Sequence, residues 1–190
     1  MAFITRTVII VIACTLLLNA CHKTPPAYTP PVHSMPSVDT TRYKGIWYEI
    51  ASTPLFNDKN CYCYQLSFTD YPNYTLGKIT CRENSATGPI DSRTMTAYPV
   101  PGTNHSQFKI DYLWPLQFDY WIVYLDKDYQ TGITGTPDHR YYWIYAREPQ
   151  ISHKQYKKLL KIAAENGYTQ KYLHNYQQCV NGRLVFPVKN

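Results

Sequence analysis

The sequence predicts an all-β protein with one helix: an eight-stranded up-and-down antiparallel β-barrel with a C-terminal α-helix packed outside it. Three observations predict this. From Tyr43 onward, short segments alternate polar and apolar residues. Turn residues interrupt those segments at hairpin-like spacing. A single stretch of helical periodicity then follows the last of them. Eight sequential strands without intervening helices fit either a barrel or a sandwich, and hairpin spacing throughout favours the barrel.

The first element is not part of the fold. Residues 1–20 carry one positive charge, Arg6, then an uncharged apolar run from Val8 to Leu18, and Ala20 just before Cys21. That is the layout of a secretory signal peptide. The run is about half of the roughly 20 residues a membrane-spanning helix needs. Leu18-Asn19-Ala20-Cys21 resembles a bacterial lipobox, whose cysteine is lipidated (palmitate among the acyl chains) and becomes the new N-terminus. Two or three acyl chains, at about 0.8 kcal/mol per buried CH₂, anchor a protein firmly. His22 follows, not the aspartate that commonly retains such proteins at the inner membrane, so the expected address is the outer membrane.

Residues 21–42 hold Pro25, Pro26, Pro30, Pro31 and Pro36 among few large apolar side chains. This composition reads as a disordered tether. The barrel domain is expected over 43–180. Strands are read near 46–53, 61–70, 74–82, 92–100, 106–113, 119–126, 130–136 and 141–147. Asp70-Tyr71-Pro72-Asn73, Gly88-Pro89, Pro101-Gly102, Asp126-Lys127-Asp128 and Pro137-Asp138 supply the turns.

In the helix, Ser152 is placed as N-cap with Gln155 as its capping-box partner. Tyr156, Leu159, Leu160 and Ala163 then form one apolar stripe, and Gly167 stands where a left-handed C-terminal cap is wanted. An extended piece over 172–179 follows, and 181–190 read as a loose tail.

Three blocks carry a family resemblance. They are Gly45-Ile46-Trp47-Tyr48-Glu49-Ile50-Ala51 on the first strand, Tyr120 to Tyr129 running through a strand into a tight turn, and Trp143 to Pro149 before the helix. In this order and spacing they resemble the lipocalin family, especially its bacterial outer-membrane lipoproteins and the apolipoprotein D branch. The resemblance covers roughly 43–180. It implies that Arg147 packs on Trp47 and closes one end of the barrel beside Gly45. A guanidinium over an indole gains roughly 0.5–2 kcal/mol. Asp126 and Tyr129, in the family's closed-end turn, are structural by the same resemblance.

The ligand site then lies inside, toward the other end. Side chains alternate across a strand. If Arg147 points inward, so do Tyr145 and Trp143. The same reasoning offers Tyr120, Ile122 and Tyr124, then Phe108, Ile110 and Tyr112, and Met95 with Ala97. These aromatic and aliphatic groups, with phenol hydroxyls as the polar handles, suit a long amphiphile.

Cys61, Cys63, Cys81 and Cys179 make an even set in an oxidising compartment, and three pairings are open. The hairpin around Pro72 and Asn73 sets residues whose numbers sum to 144–145 opposite each other. That favours Cys63 with Cys81 and leaves Cys61 for Cys179. The apolipoprotein D branch has a matching bridge from this strand to the C-terminal region.

The resemblance implies a carrier or store of a fatty acid, lysophospholipid or similar small apolar molecule in envelope maintenance, not an enzyme. Two alternatives stand beside it. One is a lipocalin-fold enzyme acting on a lipid in the cavity; one such activity in the family uses a thiol on the second strand, where Cys61 or Cys63 stands. The other is a surface lipoprotein that binds a host or protein partner through the open-end loops. The short first loop, 54–60, leaves the cavity mouth less covered. No cofactor or metal is expected, because the six histidines are widely spaced. The net charge of +6 comes without a nucleic-acid motif. Its main cluster, Lys154, Lys157, Lys158 and Lys161, reads as a solvated helix face. The oligomeric state, a dimer included, is not legible.

Overall fold

The computed structural model describes residues 29–54, 60–113 and 115–189, and gives only the backbone of Tyr112, Leu113 and Leu116. The signal peptide, Cys21 and most of the loop over the cavity mouth lie outside these residues.

A one-turn helix, α1 (Thr40–Tyr43), leads into eight strands. These are β1 (Gly45–Ser52), β2 (Cys61–Asp70), β3 (Thr75–Glu83), β4 (Ile90–Pro99), β5 (Gln107–Leu113), β6 (Leu116–Leu125), β7 (Thr131–Gly135) and β8 (Tyr142–Ala146). Each pairs antiparallel with the next, and β1 pairs with β8. The ring therefore closes, which removes the open edges a flat sheet would expose. Successive turns alternate between two ends. One end holds the β2–β3, β4–β5 and β6–β7 turns, and Trp47 and Arg147 close it.

After β8 come β9 (Ile151–Ser152) and α2 (His153–Glu165). Ser152 caps α2 with the reciprocal Gln155 contact, and Gly167 follows the helix at φ +80°. Leu159 and Ala163 are buried against the outside of the barrel with Ile50, Ile133, Ile144 and Ala146. Lys154, Lys157, Lys158 and Lys161 are exposed on the opposite face.

Two termini pack where the sequence suggested loose chain. Of the expected tether, residues 29–42 lie on the barrel. The Met35 N–H donates to Ile122 O at 2.8 Å and the Val38 N–H to Asn104 O at 3.0 Å. Val32 and Val38 are buried. Proline-rich composition hides this because the contacts are with residues far along the chain. The expected tail also folds back. β11 (Gln178–Val180) pairs with β12 (Arg183–Val185), and β13 (Val188–Lys189) runs parallel to β9.

The third departure is at the barrel wall. β1 and β2 pair only from Gly45↔Phe68 to Tyr48↔Gln65. Beyond that point β10 (His174–Asn175) pairs with β1 at Ala51 and Ser52, and the Cys63 N–H donates to Gln177 O at 2.8 Å. The C-terminal segment thus fills a gap between the first two strands near the open end.

The disulfides correct the expected pairing: Cys61 bonds Cys81, and Cys63 bonds Cys179. The cause is a β-bulge. From Asp70 back to Gln65 the β2–β3 register sums to 145, and after the bulge at 63–64 it sums to 144. Cys63 sits in the bulge at φ +60°. One inserted residue moves every later side chain to the other face. Cys61 therefore shares the face of Cys81, while Cys63 turns toward the C-terminal segment.

Candidate ligand-binding site

The closed end is built first from the sequence's own pattern. Gly45 takes φ +92°, a conformation that L side chains rarely adopt, and an added Cβ would lie 3.4 Å from an Arg147 nitrogen. Trp47, two residues on, points inward and is 1% exposed. Its indole N–H donates to Tyr43 O at 2.8 Å. The Arg147 guanidinium lies 3.8 Å above the Trp47 ring. It donates to the carbonyls of Ile46, Arg42 and Lys44 at 2.8, 2.8 and 2.7 Å, and to Tyr43 at 3.1 Å. Three of these carbonyls belong to the turn from α1 into β1, and the fourth, of Ile46, to the start of β1. The resemblance's structural roles for Gly45, Trp47 and Arg147 fit this geometry.

The Asp126 turn joins the same end. Its carboxylate accepts from the backbone N–H groups of Asp128, Gln130 and Thr131, and from the Thr131 hydroxyl. Partial burial opposes the charge on Asp126, but these hydrogen bonds outweigh it and hold its pKa below the usual carboxylate range. The Tyr129 hydroxyl accepts from Asp39 N–H at 3.0 Å, and Arg42 stacks on the Tyr129 ring at 4.1 Å. The last residues of the expected tether are thus tied to the closed end.

Two hollows lie inside the barrel, an upper one toward the open end and a lower one toward the closed end. The upper one has about 70 Å³ of space open to the centre of a water molecule. One water needs about 10–15 Å³ on that measure, so a slender chain fits and a bulky ligand does not without some movement of the wall. Its walls include Met95, Ile110, Tyr120, Trp143 and Tyr145. The lower hollow, about 20 Å³, is lined by Ala97, Phe108, Ile110, Tyr120 and Ile122 together with Tyr43 and Phe68. Tyr120 and Ile110 border both. Eight of the ten residues expected inside therefore line the interior.

The other two differ. Tyr124 packs with the outer cluster under α2, where Lys158 lies 5.4 Å from its ring. A register shift between Ile122 and Tyr124 causes this, since the bulge inverts the alternation that put Tyr120 and Ile122 inside. The side chain of Tyr112 lies outside the described residues.

Sequence reasoning missed the polar part of the upper hollow. Glu49, Ser52, Asp91 and Arg93 line it, with Tyr64, Phe118 and Tyr176. Extending period-two alternation from Trp47 finds Glu49, from Met95 finds Arg93 and Asp91, and from Tyr120 finds Phe118. Ser52 is hidden by the bulge in β1, whereas Tyr64 follows by alternation from Phe68 and Leu66. Tyr176 arrives on the C-terminal wedge, its ring 4.7 Å from that of Tyr64.

Tyr120 is 4% exposed, and its hydroxyl makes no well-aligned hydrogen bond, although the hydroxyls of Thr134, Tyr43 and Tyr145 lie close around it. Burial pushes its pKa up to about 12. The hydroxyls of Thr134, Tyr43 and Tyr145 around it pull the value down in part, and the charge of Glu49 raises it. Cys61, Cys81 and Asp91 approach one another, but the two sulfurs are bonded together, which leaves that corner unsuited to a metal.

A closed eight-stranded barrel, plugged at one end and hollow above, is the architecture of proteins that enclose a small ligand. Residues 38–178 match the family described as a Lipocalin-like domain. The chain belongs to the lipocalin family. It is 32% identical over 150 residues to temperature-induced lipocalin-1 of Arabidopsis thaliana, covering 74% of this chain and 80% of that protein. It is 26% identical over 153 residues to the outer membrane lipoprotein Blc of Escherichia coli K12, covering 80% and 85%. Among solved structures, lobster apocrustacyanin A1 superposes with a TM-score of 0.60 at 16% identity, covering 83% of this chain and 94% of that one. Insecticyanin from the tobacco hornworm Manduca sexta gives 0.60 at 14%, covering 87% and 94%. Both structures share the fold. The family is one of proteins that bind small hydrophobic ligands.

Proposed function

We propose that this lipocalin is cleaved after residue 20, anchored in the outer membrane through lipidated Cys21, and binds, stores or moves a single-chain amphiphile in envelope maintenance. A fatty acid or a lysophospholipid is the class the resemblance implies. The observation that carries the reading is the largely aromatic and aliphatic hollow inside the barrel beyond the Trp47–Arg147 closure, with a volume that suits one slender chain. The lipobox-like Leu18–Cys21 and the similarity to outer membrane lipoprotein Blc support the address.

The thiol form of the enzyme alternative needs a free Cys61 or Cys63, and both are in disulfides. Nothing specific favours the host-binding alternative.

Native mass spectrometry of the protein purified from membranes, followed by lipid extraction, tests the carrier role. A stoichiometric single-chain lipid released on unfolding is the expected result. A ligand-free protein that also takes up no added amphiphile counts against it. Intact mass tests the anchor: acyl chains on Cys21 are expected, with their loss and release from the membrane in Cys21→Ser.

A further inference from the structure

Residues 30–39 run from the open rim, along the outside of the barrel, to the closed end. At their start, His139 Nε2 donates to Pro30 O at 2.9 Å, and the His33 N–H donates to Asn166 Oδ1 at 3.1 Å. His139 lies in the β7–β8 turn, at the open end, and Asn166 follows the last residue of α2. Further down, Val32 is buried in the cluster under α2, and Gln107 Nε2 donates to Ser34 Oγ at 2.9 Å. The Met35 and Val38 amides bond to Ile122 and Asn104, and Asp39 reaches Tyr129 at the closed end. The chain on the Cys21 side therefore departs from the open rim, although β1 itself begins at the closed end.

That exit sets an orientation because the remaining chain is short. From Cys21 to Thr29 it spans at most about 28 Å, at roughly 3.3–3.6 Å per residue. A ten-residue strand such as β2 is about 33 Å long, and with a tilt of about 40° it rises about 25 Å along the barrel axis. An anchored Cys21 can bring the closed end to a membrane only with this chain drawn out along the whole barrel, which costs nearly all of its conformational freedom. The open rim is reached with slack.

Exposure alone does not choose an end. Ile46, Tyr71 and Tyr98 are exposed near the closed end, and Ile90 and Tyr172 near the open one. Ile90 begins β4 beside the β3–β4 turn, and Tyr172 lies just beyond His174, which pairs with Ser52 at the open end of β1. The two are 60% and 62% exposed, and Lys171 stands 5.1 Å from the Tyr172 ring. An aliphatic group, a phenol and an ammonium on one rim suit the lipid–water interface. The outer face of α2, also near the exit, offers lysines but no exposed large apolar side chain.

We propose that the mouth of the barrel faces the membrane that holds Cys21, with Ile90 and Tyr172 at the lipid surface, a placement that rests on the anchor reading above. The upper hollow then lies on the membrane side of the barrel, and an alkyl chain passes between lipid and hollow without exposure to bulk water.

The test places the protein purified from membranes in vesicles of phosphatidylethanolamine and phosphatidylglycerol that carry a photoreactive group on some headgroups, and maps crosslinked peptides by mass spectrometry. Adducts across 84–90, 136–141 and 170–174 are expected at least about threefold above those in the closed-end turns 71–74, 100–106 and 126–130. The β3–β4 and β7–β8 turns stand on opposite sides of the ring, so labels on both mark a mouth that faces the lipid. Labels confined to 136–141 and α2 mean that the barrel lies on its side, and an excess at the closed-end turns means the reverse orientation; either overturns the proposal. A Gly-Ser insert of about twenty residues after Thr24, outside the folded domain, should at least halve the ratio, because the longer chain reaches both ends with slack. A ratio that the insert leaves unchanged overturns the role given to the exit. A purified protein without acyl chains removes the anchor reading by itself. The Cys21 thiol of the signal-free chain, whose other four cysteines are bonded, is then coupled to maleimide lipid in the same vesicles. Open-end adducts in that arm support the orientation, and their absence overturns it.

Discussion

The two ends of this barrel treat polar groups in opposite ways. At the closed end the Arg147 guanidinium stacks on Trp47 and donates to the carbonyls of the incoming turn, while Asp126 collects donors from its own turn. Toward the open end, the buried hydroxyls of Tyr120 and Thr134 lie near each other without a well-aligned hydrogen bond, and three charged side chains border a hollow. A satisfied network rigidifies the structure, and an unsatisfied one leaves something for a ligand to do. The difference teaches where stability and binding reside: mutations below should cost folding, and mutations above should cost affinity.

The largest expected effect tests the lower half of that statement. Trp47→Ala and Arg147→Ala should each lower unfolding free energy by about 3–5 kcal/mol, through the lost ring and the carbonyls left unmet. Urea unfolding followed by tryptophan fluorescence measures this. A loss below about 1 kcal/mol in both would break the comparison.

Next comes the clamp at the wedge. Replacing Cys63 and Cys179 together by Ser should cost about 2–5 kcal/mol, because their bridge closes a long loop. Non-reducing peptide mapping should recover Cys61 with Cys81 and Cys63 with Cys179. Any other pairing would show that the bulge at Cys63 does not set the faces as described.

Gly45→Ala should cost about 1–2 kcal/mol, since a side chain is forced into a left-handed conformation. Asp126 sharpens the closed end through pH. Its folded pKa is depressed, so its contribution is present above the ordinary carboxylate pKa and is lost as pH falls through the lower folded value. Wild-type stability should fall over that acid range, and Asp126→Asn should flatten the fall, as thermal melts between pH 5 and pH 2 would show (range about that of a carboxylate with a lowered pKa).

The smallest effect on stability is expected above. Tyr120→Phe should stay within about 1 kcal/mol of wild type, or gain slightly, because the hydroxyl it removes makes no well-aligned hydrogen bond. A large loss would mean that this hydroxyl belongs to the fold and not to a ligand.

The sequence by itself determined the repeating plan. Period-two alternation and hairpin turns gave eight strands within a few residues of their observed ends. Ser152, Gln155 and Gly167 marked both ends of the helix, because caps are local chemistry. Gly45, Trp47 and Arg147 were legible as a set through family resemblance, and eight interior residues followed from alternation. Tertiary structure decided whatever a bulge or a distant contact controls. The bulge at Cys63 exchanged the disulfide partners, and the shift before Tyr124 sent that ring outside. The packing of residues 29–42 and the wedge that brings Tyr176 to the hollow rest on partners far away in sequence. Alternation is a rule about neighbours, and a single inserted residue inverts it without any compositional signal. Only closure of the sheet shows which faces meet.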